Sequence, residues 1–150
     1  PVVLLVQQNC DDREMYAEFL RYRRFRPVIA VTVPEALQLA PTADVVVTGI
    51  VLPNGADGLD FITRLRDEPR TKTTPIIVLT ATMLTGERQQ AVESICEGFL
   101  RKPCLPGALV REVRRVLAAV RGGAVEQAAD FASRGTASRR LRAASRRSRT

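Results

Sequence analysis

DVVVTGIVLPNGADG, residues 44–58, decides the fold. Val45 to Thr48 is a short β-branched run without alternation, the pattern of a strand buried on both faces of a parallel sheet. Pro53, Asn54 and Gly55 then force a turn, and a helical pattern begins near Asp57. Strand, turn and helix in this order make half of a βαβ unit, whose ligand sites lie beyond the carboxyl ends of the strands. Position 49 is therefore where chemistry is expected, and it holds a glycine with no side chain to perform any.

The flanking sequence repeats the pattern. Val2 to Val6, Val28 to Val31, Ile76 to Thr80 and a short run from Phe99 to Arg101 read as four more strands. Helices are predicted between them, over residues 12–25, 34–40, 58–67 and 84–97, with a last one from Leu105 to Val120. Asp11 with Glu14, and Thr32 with Glu35, have capping-box spacing, and Thr85 with Glu87 opens the fourth helix. The predicted inner stripes are Met15, Tyr16, Phe19 and Leu20; then Leu59, Ile62 and Leu65; then Ala91, Val92 and Ile95; and finally Leu109, Val113, Val116, Leu117 and Val120. Five strands alternating with five helices give an open parallel α/β sheet with crossovers of one hand.

The chain has 150 residues and a net charge of +7, but the charge is unevenly placed. Residues 1–120 carry 15 Lys and Arg against 14 Asp and Glu, whereas residues 121–150 carry 8 Arg against Glu126 and Asp130. The excess belongs to the tail and not to the fold. No apolar run approaches the ~20 residues of a membrane span, and the chain start lacks the pattern of a signal peptide. A cytoplasmic, soluble protein is expected, and three cysteines, Cys10, Cys96 and Cys104, fit free thiols there.

Four segments in order resemble the receiver domain of two-component response regulators: VLLVQQNCDDREMYAEFL, DVVVTGIVLPNGADGLDFITRLR, PIIVLTA and FLRKPC. The resemblance covers Val2 to about Val120. It implies a flavodoxin-like five-stranded sheet of order 2-1-3-4-5, with residues 1–120 as the receiver-like domain and 121–150 as an Arg/Ala/Ser-rich, disordered tail. In that family an acidic pair and an aspartate hold a magnesium ion, and the aspartate takes a phosphoryl group from a histidine kinase. Carried over residue by residue, the acidic pair falls on Gln7 and Gln8, and the phosphoacceptor on Gly49. The phosphate-contacting hydroxyl and lysine fall on Thr80 and Lys102, and the switch aromatic on Phe99.

Two neutral amides and a glycine supply Mg²⁺ with no carboxylate and phosphoryl transfer with no nucleophilic oxygen. The resemblance thus implies a pseudo-receiver in a phosphorelay, without metal or cofactor, not an enzyme, and acting through protein contacts with a kinase or another signalling protein. A weak homodimer through residues 85–120 is implied as well. Asp57 reads as a helix cap, and Asp11 and Asp12 follow the Gln pair too late to reach the same pocket, so capping is their expected role too. Lys102, left without acidic partners, is expected to meet a Gln oxygen or water.

Two basic segments remain. Arg21, Arg23, Arg24 and Arg26 read as a solvated helix end. The tail segment SRRLRAASRRSR suits phosphate-backbone contact, although it has no aromatic for stacking and Phe131 stands alone before it. A nucleic-acid-associated protein using this tail on a receiver scaffold is the alternative function. Cys10 and Cys104 at the carboxyl edge read as unreactive small residues in preference to a redox switch.

Overall fold

The structure, a computed structural model, describes the backbone of residues 1–135 and the side chains of residues 1–122. The elements follow in the order β1 (Val2–Val6), α1 (Cys10–Tyr22), β2 (Arg26–Ile29), α2 (Val33–Leu39), β3 (Val45–Thr48), α3 (Gly58–Asp67), β4 (Ile76–Thr80), α4 (Gly86–Ile95), β5 (Gly98–Arg101) and α5 (Pro106–Gly135). The strands form one parallel sheet in the order β2-β1-β3-β4-β5, as expected. Every residue of β3 and β4 is buried, which is why neither shows alternation.

The ladders place the cleft residues. The Gly49 N–H donates to the Val6 carbonyl at 3.0 Å, extending the β1–β3 pairing by one residue. The Lys102 N–H donates to the Thr80 carbonyl at 2.9 Å and does the same for β4–β5. The peptide between Lys102 and Pro103 is cis. After β3 the chain turns through Asn54 and Gly55 at φ 62° and 73°, the left-handed region that an Asn-Gly pair enters at low cost. Gly58 then packs directly on the strand end. Its N–H reaches the Ile50 carbonyl at 2.6 Å, and a Cβ there would lie 2.1 Å from the Gly49 oxygen. Only glycine lets α3 start this close to the cleft.

Several helix boundaries differ from those the spacing predicts. α1 begins at Cys10, capped by Asn9, whose Oδ1 accepts the Asp12 N–H at 2.9 Å; Asp11 is not the cap. An Asn two residues earlier takes the orphan N–H groups first. Tyr16, Ala17 and Leu20 become the buried stripe, and Met15 is left 41% exposed. On α4, Val92 is buried but Ala91 is exposed, and the Thr85 side chain makes no capping bond. Val120 on α5 is also exposed. Thr32 caps α2 as predicted, accepting the Glu35 N–H at 3.2 Å, while Glu35 reaches back to the Val31 N–H at 2.8 Å.

α5 runs unbroken to Gly135, beyond the Val120 end that hydrophobic spacing gives. Ala118, Ala119, Ala124, Ala128, Ala129 and Ala132 have the helix propensity to carry it through Gly122 and Gly123. By contact density the chain divides into two units, Pro1–Val116 and Leu117–Thr150. The disorder expected of residues 121–150 gives way to helix over 121–135, and over 136–150 that expectation lies outside the described residues.

Candidate functional site

A cleft of about 190 Å³ opens at the carboxyl ends of β1, β3, β4 and β5. Gln7, Gln8, Gly49, Thr80 and Lys102 all line it, so the four separate segments do converge as the sequence predicts. Gln7, just after β1, is 1% exposed; its Nε2 donates to the Leu79 carbonyl at 3.3 Å, and its own carbonyl accepts from Arg13 Nη1 at 2.9 Å. Gln8 is exposed at the rim. The Thr80 hydroxyl is 4% exposed and accepts the Thr82 N–H at 3.0 Å. Phe99 is half-buried against the core, with the Arg101 guanidinium 5.7 Å from its ring centre.

At position 49 the cleft has room. A Cβ would stand 3.5 Å from the Val51 carbonyl oxygen and 3.7 Å from both Gln7 Nε2 and the Leu79 oxygen, ordinary contact distances. The missing side chain is therefore not excluded by packing.

Asp12 is the correction. It lines the cleft, and its Oδ2 accepts from Lys102 Nζ at 2.5 Å, so Lys102 meets neither a Gln oxygen nor water alone. The expectation that Asp12 lies too late in the chain fails: with α1 starting at Cys10, Asp12 falls within its first turn, above the strand ends, instead of at the predicted first helical position. The signal for this was Asn9, as good a cap as Asp11 and two residues earlier. Asp57, by contrast, does cap α3, accepting the Leu59 N–H at 3.0 Å, and also pairs with Arg88 of α4 at 2.9 Å.

Beside the cleft a second hollow is lined by Asp12, Met15, Tyr16, Lys102, Pro103 and Cys104. The Tyr16 hydroxyl donates to the Cys104 carbonyl at 2.7 Å. Burial, followed by the charges of Cys104 and Asp12, pushes the Tyr16 hydroxyl up to about 12. Burial also raises the Cys104 thiol, which keeps it in its unreactive protonated form. All three cysteines are free thiols.

The description "response regulator receiver domain" matches residues 3–114. The chain belongs to the response regulator receiver family. The phosphate regulon transcriptional regulatory protein PhoB of Escherichia coli is 29% identical over 127 residues, which is 83% of this chain and 55% of PhoB. The chain thus spans about half the length of the curated relatives it matches. A putative response regulator from Chloroflexus aurantiacus has a solved structure that is 32% identical, with a TM-score of 0.69, covering 78% of this chain and 97% of that one. The receiver domain of the sensor histidine kinase PA1611 from Pseudomonas aeruginosa is 25% identical over the same shares, with a TM-score of 0.69, and was solved with a magnesium ion coordinated in its active site cleft.

The residues of this receiver do not fit such an ion. Asp12 is the single carboxylate among the cleft-lining residues, and Lys102 already neutralises it. Among the described residues no three His, Cys, Asp or Glu side chains cluster as a metal site. Mg²⁺ needs near-octahedral oxygen ligands and carboxylate charge, and a buried amide tied to Leu79 with a glycine beside it supplies neither. No described helix is long and apolar enough to cross a membrane.

Proposed function

We propose that this receiver is not phosphorylated and signals through protein contacts alone. The observation that carries the reading is the Asp12–Lys102 ion pair across a cleft that has no acceptor at residue 49 and no acidic pair at Gln7 and Gln8. In a working receiver the cleft acids and, after transfer, the acyl phosphate meet the lysine's charge. Here a carboxylate outside those positions meets it, so the cleft is neutral without metal or phosphate and holds one state. Such a domain is no enzyme, and its cytoplasmic partner is a histidine kinase or another signalling protein. The region 85–120 is the surface for that partner or for a weak homodimer. The seven arginines and no acids of residues 134–150 support a second, separable contact with polyanions.

The test is a thermal melt with and without millimolar Mg²⁺ and beryllofluoride, a mimic of aspartyl phosphate. A ligand of the folded state at 100 times its dissociation constant adds roughly 2.7 kcal/mol. The native chain is expected to show no shift. The triple variant Gln7→Asp, Gln8→Asp, Gly49→Asp, for which residue 49 has space, is the positive control and is expected to shift upward. A shift of the native chain that needs both reagents overturns the reading.

A further inference from the structure

The end of the sheet opposite the cleft carries a feature that the receiver reading leaves unused. Residues 21–26 read RYRRFR, four arginines interleaved with two aromatics. From Met15 to Pro34 the only acid is Glu18. Arg21, Tyr22, Arg23, Arg24 and Arg26 are all exposed, and Tyr22 is 78% exposed. The segment joins the C-terminus of α1 to the start of β2, where Arg26 pairs in register with Val2 at the amino edge of the sheet.

The rings and guanidinium groups are organised together. Phe19 and Tyr22 are 6.2 Å apart, the Arg23 guanidinium lies 5.4 Å from the Phe19 ring centre, and Arg114 of α5 lies 5.8 Å from that of Phe25. None of Arg21, Arg23, Arg24, Arg26 or Arg114 pairs with a described carboxylate. Of the other eight arginines of residues 1–116, four have carboxylate partners: Arg66 has Glu97, Arg70 has Glu68, Arg88 has Asp57 and Arg115 has Glu112. A solvated helix end explains charge, but it does not explain an exposed tyrosine set among cations.

Arg24 adds a second sign. Its φ is 71°, the left-handed helix-ending position where glycine is relaxed and a β-carbon is strained. Retaining arginine there sacrifices stability for a charged side chain.

We infer that the α1–β2 corner binds single-stranded nucleic acid, with Arg21, Arg23, Arg24, Arg26 and Arg114 on the phosphates and Tyr22 stacked on an unpaired base. Guanidinium groups contact phosphate without reading sequence, and exposed aromatic rings stack on any base whose face is free. A duplex hides those faces, so single strands are favoured. The corner lies at the opposite end of the sheet from the cleft, and its occupancy does not depend on phosphorylation.

The experiment is fluorescence anisotropy of a labelled 12-nucleotide oligouridylate titrated with the full chain across a salt series, with a matched duplex and poly-glutamate as competitors. The native chain is expected to bind, more weakly as salt rises. Tyr22→Ala should weaken binding about tenfold at unchanged salt slope, and Tyr22→Phe should restore it. Arg24→Gly should raise the melting temperature while lowering the salt slope by about 0.7. Because residue 22 is exposed and residue 24 relaxes as glycine, neither change threatens folding. The inference is overturned if Tyr22→Ala binds as the native chain does and only tail arginine substitutions matter. It is also overturned if poly-glutamate competes as well as the oligonucleotide, which would mark an acidic protein surface as the ligand, or if no binding occurs at low salt.

Discussion

At position 12 a carboxylate three residues after the helix cap takes over a charge that the family normally meets at three other positions. The Lys102 side chain is 16% exposed and Asp12 is 30% exposed, so the pair lies between the surface regime, worth under about 1 kcal/mol, and the buried regime, where breaking one partner costs about 3–5 kcal/mol. A double-mutant cycle of Asp12→Asn and Lys102→Met, read by urea unfolding, is expected to give a coupling of about 1–2 kcal/mol. Lys102→Met alone should cost less than Asp12→Asn, because the more buried charge is the ammonium and removing the carboxylate strands it. A coupling near zero would mean that the two groups meet only by proximity and that the cleft is not held by them.

At the scale of elements, one side chain of α3 ties the end of α4 to the loop that leads into β4. Arg66 Nη2 and Nε donate to the Ile95 carbonyl at 2.9 and 3.2 Å, Nη1 to the Thr74 and Lys72 carbonyls at 2.7 and 3.1 Å, and Nη2 to Glu97 Oε1 at 2.7 Å. The same Glu97 oxygen accepts the Ile76 N–H at 2.7 Å, at the start of β4. Arg66→Ala strands several carbonyls at element ends, and a loss of about 2–4 kcal/mol in unfolding free energy is expected. Arg66→Lys should recover less than half, since an ammonium cannot reach three carbonyls and a carboxylate in one plane. Nothing in the sequence marked Arg66, because its partners are backbone carbonyls 6 to 29 residues away and a carboxylate 31 residues away. What was legible came from local patterns. The unalternating runs of β3 and β4 gave a parallel sheet, and the segments around residues 7, 49, 80 and 102 gave a common cleft. The boundaries of α1 were less legible, because Asn9 and Asp11 both make good caps and only the tertiary fold chooses between them. That choice hid Asp12.

Across the whole receiver unit, polar chemistry is divided between the ends of the sheet, with a self-neutralised cleft at the carboxyl edge and unpaired arginines at the amino edge. Between them lies an apolar core that encloses Tyr16, 2% exposed, and partly encloses Cys96. Burial pushes the Tyr16 hydroxyl from 10.0 up to about 12 and the Cys96 thiol from 9.0 up to about 11, the latter aided by the neighbouring Glu97 charge. In the unfolded chain both groups ionise at their ordinary values while the folded chain still holds the protons. The stability they contribute is therefore complete below about pH 9, declines as pH rises through 9 to 11 for Cys96 and through 10 to 12 for Tyr16, and is gone above about pH 12. Urea midpoints measured from pH 7.5 to 11.5 should fall along this alkaline limb. Tyr16→Phe loses the bond to the Cys104 carbonyl, so it should start lower at pH 7.5 and then fall less steeply above pH 10. If it falls as steeply as the native chain, the alkaline limb belongs to the thiol, and Tyr16 is only a packed ring.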